Sequence, residues 1–494
     1  MTPDTSRPHD DTRLSGEDLT FWWADSPTQP TTMAMLLVLD RMPDWNRLRH
    51  AVERAVEAVP RLRQHVLDAP LDLTLPRWVE DRTFDLDYHL RRHALSGTHD
   101  LDELFREIAP AYETPFDRSR PLWEARVYEG LADGRAAIFF KLHHAVADGV
   151  GANAIFAAMT DWDADGDGIR TNGADPRKGS WGHADGIGRR VVDAMVDRVR
   201  LDVERAAGVA KAVAETIRHP AYVPQALAAL RSLADVLRFD SHSPLKEREA
   251  FGRARHLTGV DLPFEDVRRI RHALGGSMID VILSIMARAI GRWHREHGFE
   301  GVHDLMTLVP VNLRRPEEWT EQAAVGNVAT GLLVPLPIDL HNPLATFWEV
   351  HRRVQAAKAD PATGATPVLA EMLSVLGRGV VSLMGEMTFG AVDFIVTNVP
   401  GILATRWLAG AEIVAAYPFA PVALRSPASI ALYGYRDRLF VGIDADETVM
   451  PDVGAFRSWI VEAFEELVAV SRDGHRFGMS KGGNSWLASM EPAA

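Results

Sequence analysis

The run Ala136-Ala137-Ile138-Phe139-Phe140-Lys141-Leu142 is apolar enough to form a strand. It ends on His143-His144-Ala145-Val146-Ala147-Asp148-Gly149, ahead of the helix-like stretch Val150 to Trp162. A strand, a short loop and a helix in that order commit this part of the chain to an α/β arrangement, with two imidazoles where a loop can face a cleft. Histidine has an ordinary pKa of about 6.5, so both of its protonation states are accessible near neutrality. Continued strand alternation sends His143 and His144 to opposite sides, so that one can reach a substrate while the other packs inward. Asp148 has three open roles: orienting an imidazole, capping the following helix, or pairing with a distant arginine. Gly149 lets the backbone turn without a Cβ clash.

Around this feature the chain divides into three regions. From Leu14 to about Asp161 strand-like and helix-like segments alternate: Met33 to Leu39 and Leu122 to Tyr128 as strands, Trp45 to Val59 and Leu101 to Tyr112 as helices. Asp163 to Asp185 is rich in Gly, Asp and Asn and reads as a surface loop. Val191 to His219 and Tyr222 to Leu237 read as helices broken at His219-Pro220, giving a helical linker over 181–250 between domains at 1–180 and 251–494. In the second domain Phe264 to Leu274 and Met278 to His294 are helix-like. Leu305 to Leu313, Thr330 to Ile338 and Phe394 to Asn398 are strand-like, and Ser429 to Tyr435 can pair with Arg438 to Ile443 across Arg436-Asp437. Residues after Ser471 read as a loosely held tail.

Composition narrows the chemistry. The 494 residues are 46% hydrophobic and 25% charged, enough for more than one core. Cysteine is absent, which excludes disulfides, thiolate metal sites, iron-sulfur clusters and a cysteine nucleophile. A formal charge of −14 disfavours general attraction to nucleic acid or anionic lipid. No apolar segment approaches the roughly 18 residues of a bilayer span, and Met1 to Arg13 lacks the features of a secretion signal, so a cytoplasmic setting with at most peripheral membrane contact is expected. Asp161 to Asp167 resembles the opening of a calcium loop, but its twelfth position is Asn172 rather than a bidentate glutamate. His294 and His297 lack a third ligand and suit a helix C-terminus, so no metal is expected. Gly149-Val150-Gly151 and Gly186-Ile187-Gly188 are too short for phosphate loops and read as turns.

Other signposts follow in order: Pro121-Leu122-Trp123-Glu124, then His143 to Gly149, Met278-Ile279-Asp280-Val281, Val309-Pro310-Val311-Asn312-Leu313-Arg314, Gly326-Asn327, and Thr397-Asn398-Val399-Pro400-Gly401. With this ordered set, over nearly its whole length, the chain resembles the bacterial wax ester synthase/diacylglycerol acyltransferase family. The resemblance implies an α/β fold of two chloramphenicol acetyltransferase-like domains with a tunnel between them. It implies acyl transfer from acyl-CoA, a co-substrate rather than a bound cofactor, to diacylglycerol or a long-chain alcohol. It also implies work at the inner membrane surface or a lipid droplet. By matching position, His144 is the general base, His143 supports the loop, Asp148 is mainly structural and Gly149 permits the turn. Two departures stand out: Ile279-Asp280 replaces the Asn-Asp of many members, and Leu424 to Ser429 lacks their usual glycine and asparagine.

The chemistry asks for further groups. A hydroxyl needs a base as it attacks, a contribution of about 10²- to 10⁴-fold, and a thioester is already activated, so direct attack needs neither metal nor covalent intermediate. The absence of cysteine and of a GxSxG elbow fits that route. Thr397 and Asn398, at a strand end before Pro400-Gly401, are candidates for lining the substrate site. A buried Asp148 needs a partner, for which Arg61, Arg63 and Arg314 are the candidates. Asp280 is counted with Arg63 and Arg314 as structural support. Two alternatives stay open: a condensation-type enzyme using a carrier-bound acyl group or a different alcohol, and a lipid-binding protein without turnover.

Overall fold

The computed structural model describes residues 12–26, 30–68, 74–166, 239, 241, 243–247, 252–312, 329–360, 390–422 and 426–473. Most of the expected helical linker lies outside these residues, as do Arg314, Gly326-Asn327, Leu424-Arg425 and the chain after Asp473.

Two mixed six-stranded sheets organise the described residues. The first runs β11 (Trp407–Leu408), β12 (Ala411–Phe419), β1 (Thr32–Leu39), β6 (Ala136–His143), β5 (Trp123–Glu129), β4 (Leu90–Ala94). All its neighbours are antiparallel except the parallel pair β4 and β5. β1 and β6 sit at its centre and are buried almost throughout, which is why they read as continuous apolar runs rather than alternations. Against this sheet packs α2 (Trp45–Ala58), capped by Asp44, whose Leu48, Ala51, Val52, Ala55 and Val56 recur every three to four residues and form its buried stripe. α1 (Gly16–Ala24) and α4 (Leu101–Glu113) contribute Leu19, Trp22, Leu104, Phe105 and Ile108 to the same core.

The second sheet runs β7 (Arg255–Pro263), β14 (Arg438–Asp446), β13 (Ala428–Tyr435), β10 (Phe394–Ile402), β8 (Asp304–Asn312), β9 (Ala329–Pro337). Its β10 is parallel to both neighbours, and the expected hairpin closes with Tyr435 opposite Arg438. β13 is buried on both faces. Ala428, Ile430 and Leu432 join the core shared with the helices Phe264–Leu274, Met278–Glu296, Pro343–Ala359 and Val453–Asp473, while Tyr433 and Tyr435 belong to the core of the first half. The second sheet therefore turns one face to its own helices and the other to the first half.

The strands β11 and β12 were not anticipated. Though drawn from the region 251–494, they complete the first sheet, with Ala34 opposite Phe419 and Leu39 opposite Ile413. The approach between halves is tight where glycine removes a side chain. A Cβ on Gly442 would lie 1.7 Å from the Pro418 carbonyl oxygen, and one on Gly259 would lie 2.5 Å from the Tyr417 ring. No single described helix is long and apolar enough to cross a membrane. Phe264–Leu274 and Met278–Glu296 reach that length and composition only as a pair bent by 101°, and both pack into the second core.

Candidate active site

β6 delivers its two histidines into different surroundings. His143 is buried, and both ring nitrogens have partners: Nδ1 accepts the Ala145 N–H at 3.0 Å, and Nε2 lies 3.1 Å from the Thr31 hydroxyl. Because Nδ1 accepts, the proton of the neutral ring belongs on Nε2, which then donates to Thr31. His144 is half-buried, its N–H donates to the Thr31 carbonyl at 2.9 Å, and its ring stacks on Phe21 at 3.8 Å between centroids and 14° between planes.

Asp25 stands behind His143, with Oδ2 at 3.6 Å from Nε2. Burial pushes its carboxyl up, but His143, the Arg118 guanidinium at 2.8 Å and the Thr31 N–H at 2.9 Å outweigh that and bring it down to about 2. On the same face of β6 as His143, Lys141 is fully buried and donates to the carbonyls of Ala111 and Thr114 at the end of α4, with Phe116 lying beside both residues. Burial pushes this lysine down to about 8, with Glu124 opposing.

The loop after the histidines is held through its backbone. Arg61 donates to the carbonyls of Ala145 and Val146 at 3.0 and 3.2 Å, and its other nitrogen pairs with the buried Asp18 at 3.0 Å. The turn Pro60–Arg63 that carries Arg61 is fixed in turn by the Pro121 to Glu124 signpost. Trp123, fully buried, donates its indole N–H to the Leu62 carbonyl at 2.8 Å, and the Leu122 carbonyl accepts the His143 N–H at 3.0 Å.

Asp148 caps α5 (Gly149–Met159): its Oδ1 accepts the Gly151 N–H at 2.8 Å. Arg61 and Arg63, both candidates for its ionic partner, pair elsewhere, Arg61 with Asp18 and Arg63 with Glu80 at 3.5 Å. The physical reason is reach, since the turn Pro60–Arg63 points Arg61 at the loop carbonyls and sets Arg63 beside β3 (Arg77–Glu80), where Glu80 lies. Gly149 has no left-handed φ, so the turn itself does not require it. A Cβ there would meet the Val399 methyls at 3.1 and 3.2 Å, and close approach to β10 is what glycine permits. Thr397, half-buried, shares the face of Val399 on that strand, while the intervening Asn398 is exposed.

Asp280 lies away from the loop and is fully buried as part of a capping box at the start of Met278–Glu296. Its Oδ2 accepts from the Ser277 N–H and hydroxyl at 2.6 and 2.8 Å and lies 2.9 Å from His351 Nδ1, which makes it a support for that helix. His294 and His297, at the end of that helix, are held by distant parts of the second half: His294 Nε2 meets the Ser243 hydroxyl at 3.0 Å, and His297 lies 3.3 Å from Asp452. Sequence reasoning missed Phe21, Asp25 and Thr31. Thr31 is 112 residues from His143, and only folding makes them neighbours. The one local signal is a carboxylate two residues after the aromatic run Phe21-Trp22-Trp23.

Comparison with known proteins adds an independent line. The family model of the wax ester synthase/diacylglycerol acyltransferase catalytic domain matches residues 14–282, and that of the WS/DGAT C-terminal domain matches 325–468. A Mycobacterium tuberculosis protein assigned as a diacylglycerol O-acyltransferase is 32% identical over 401 residues, spanning 81% of this chain and 80% of its own length. A second from the same organism is 28% identical over 458 residues, spanning 89% and 91%. Among solved structures, the wax ester synthase/diacylglycerol acyltransferase of Marinobacter aquaeolei VT8 superposes with a TM-score of 0.64 at 18% identity, covering 93% of this chain and all of that one. The first condensation domain of the calcium-dependent antibiotic synthetase gives 0.60 at 20% identity, covering 92% and 96%.

Proposed function

The chain belongs to the wax ester synthase/diacylglycerol acyltransferase family and is an acyltransferase, and from that premise we propose that it moves a long-chain acyl group from acyl-CoA to the hydroxyl of diacylglycerol or a long-chain alcohol, with His144 as the general base. The observation that carries this reading is the occupancy of His143. Both of its ring nitrogens are engaged by Ala145 and Thr31 in buried surroundings, whereas His144 is half-buried where the loop begins and is the more accessible of the two imidazoles.

In the forward step His144 takes the hydroxyl proton as the oxygen attacks the thioester carbonyl, giving a tetrahedral adduct. Collapse of that adduct breaks the carbon–sulfur bond, and the proton on His144 passes to the departing CoA thiolate, so the enzyme returns unchanged. Arg61, Asp148 and the Thr31 carbonyl hold the loop in place through this cycle, and Thr397 on β10 lines the acceptor side beside Gly149. The space for the chains lies between the two halves, and the enzyme works at a lipid surface where such substrates reside. Product type and chain length follow from the shape of that space.

The test uses the purified full chain with palmitoyl-CoA and either a diacylglycerol or hexadecanol, reading CoA release. Wild type releases CoA with at least one acceptor, and His144→Ala lowers the rate by about 10²-fold or more while keeping its thermal transition. Full activity in His144→Ala rejects the base assignment. Transfer from a carrier-bound acyl group but never from CoA, the chemistry of a condensation enzyme, replaces the donor; tight lipid binding without turnover replaces the activity.

A further inference from the structure

Thr31 touches both histidines at once. Its N–H donates to Asp25 Oδ1 at 2.9 Å, its hydroxyl reaches the Phe21 carbonyl at 3.1 Å and His143 Nε2 at 3.1 Å, and its own carbonyl accepts the His144 N–H at 2.9 Å. The two residues that hold Thr31 have their own hold on the pair: Phe21 stacks on the His144 ring, and Asp25 lies beside His143. Asp25 is fixed from outside by Arg118, whose guanidinium also lies 4.0 Å over the Trp22 ring.

We propose that Phe21, Asp25 and Thr31 form a positioning clamp that sets the tautomer of His143 and the orientation of the His144 ring, so that the N-terminal segment governs the rate of proton transfer at a loop it does not belong to. The proposal rests on the reading of His144 as the base. With the Thr31 hydroxyl donating to the Phe21 carbonyl, its oxygen accepts from His143, and this keeps the proton on Nε2. His143 Nδ1 thereby stays an acceptor for the Ala145 N–H and pins the first turn of the loop. The parallel face of Phe21 limits rotation of the His144 ring. A base that wavers in angle still lets substrate bind, but it spends less time in line with the hydroxyl, so the clamp acts on kcat and not on KM.

The experiment compares Asp25→Asn, Thr31→Val and Thr31→Ser with wild type in the same CoA-release assay, each variant first shown by circular dichroism to be fully folded at the assay temperature. Asp25→Asn and Thr31→Val should each lower kcat by about tenfold with KM for palmitoyl-CoA unchanged within about twofold, and Thr31→Ser, which keeps the hydroxyl, should return to within about twofold of wild type. Wild-type kcat in both Asp25→Asn and Thr31→Val overturns the clamp, as does a loss that Thr31→Ser shares, since that reports packing and not the hydroxyl. Activity retained by His144→Ala rejects the base instead. The clamp is then read without turnover, by nitrogen NMR of histidine-labelled full chain. A wild-type His143 protonated on Nε2 that redistributes toward Nδ1 in Thr31→Val supports the clamp, and an unchanged tautomer overturns it.

Discussion

Asp25 keeps its charge in mostly buried surroundings because Arg118 and the Thr31 N–H donate to it and His143 lies beside it, and that has an energetic signature. Its carboxyl is held at about 2, below the ordinary 3.8, despite burial that pushes it upward. A depressed carboxylate stabilises the fold above its unfolded pKa and loses that contribution as pH falls through its folded one. The gap corresponds to about 2 kcal/mol, complete above about pH 4 and gone near pH 2. Wild type should therefore exceed Asp25→Asn in urea stability by about that amount at pH 6, with the difference shrinking between pH 4 and pH 2. A gap that stays constant across that range would show that the charge is not what holds the site. At this scale the sequence was legible where neighbours in the chain are neighbours in chemistry. His143, His144 and Asp148 announce themselves by adjacency, whereas Thr31 and Asp25 act across a fold and carry no spacing that marks them.

Helix α5 shows how elements transmit position to the loop. Its N-terminus abuts Val399 of β10 through Gly149, and its final carbonyls are taken by Arg406, which donates to Ala157 at 3.2 Å and to Thr160 at 2.7 Å. Both contacts come from the C-terminal half, within one stretch of chain, so the helix behind the histidine loop is gripped at its two ends by the other side of the molecule. Gly149→Ala should cost about 1 to 3 kcal/mol through overpacking against the Val399 methyls, and Val399→Ala in the same chain should recover most of it, as a double-mutant cycle in chemical denaturation would read. Additive losses would mean that the two residues do not meet. The strand ahead of the loop and the strand that carries Thr397 were both readable from their apolar runs, but the grip was not, because it depends on which elements face each other. β12 escaped notice for a related reason. Its Ile413, Val414, Tyr417 and Phe419 suit a strand, but Ala415-Ala416 and Pro418 interrupt the run, and only folding shows that it pairs with β1.

Between the halves the contacts become ionic as well as apolar. Arg255, at the start of β7, is almost fully buried. Its Nε donates to the buried Asp444 at 2.8 Å, its backbone N–H donates to Glu113 of α4 at 2.7 Å, and Asp446 lies 3.9 Å away. Arg457 adds a more exposed link, donating to Asp102 of α4 at 2.6 Å. Removing the guanidinium leaves two buried carboxylates without their cation, so Arg255→Met should cost about 3 to 5 kcal/mol in chemical denaturation, and a loss below about 1 kcal/mol would contradict that account. The two-domain α/β fold was legible in the alternation of apolar runs, while the passage of one strand from the second half into the first sheet was not. That passage sets a rule for recombining relatives. A hybrid joined inside the connector brings a foreign Trp407 to Phe419 segment against a resident β1, so the pairing of the two parents is judged strand by strand at that seam. Crossovers that move this segment together with the first 166 residues keep each sheet of single parentage.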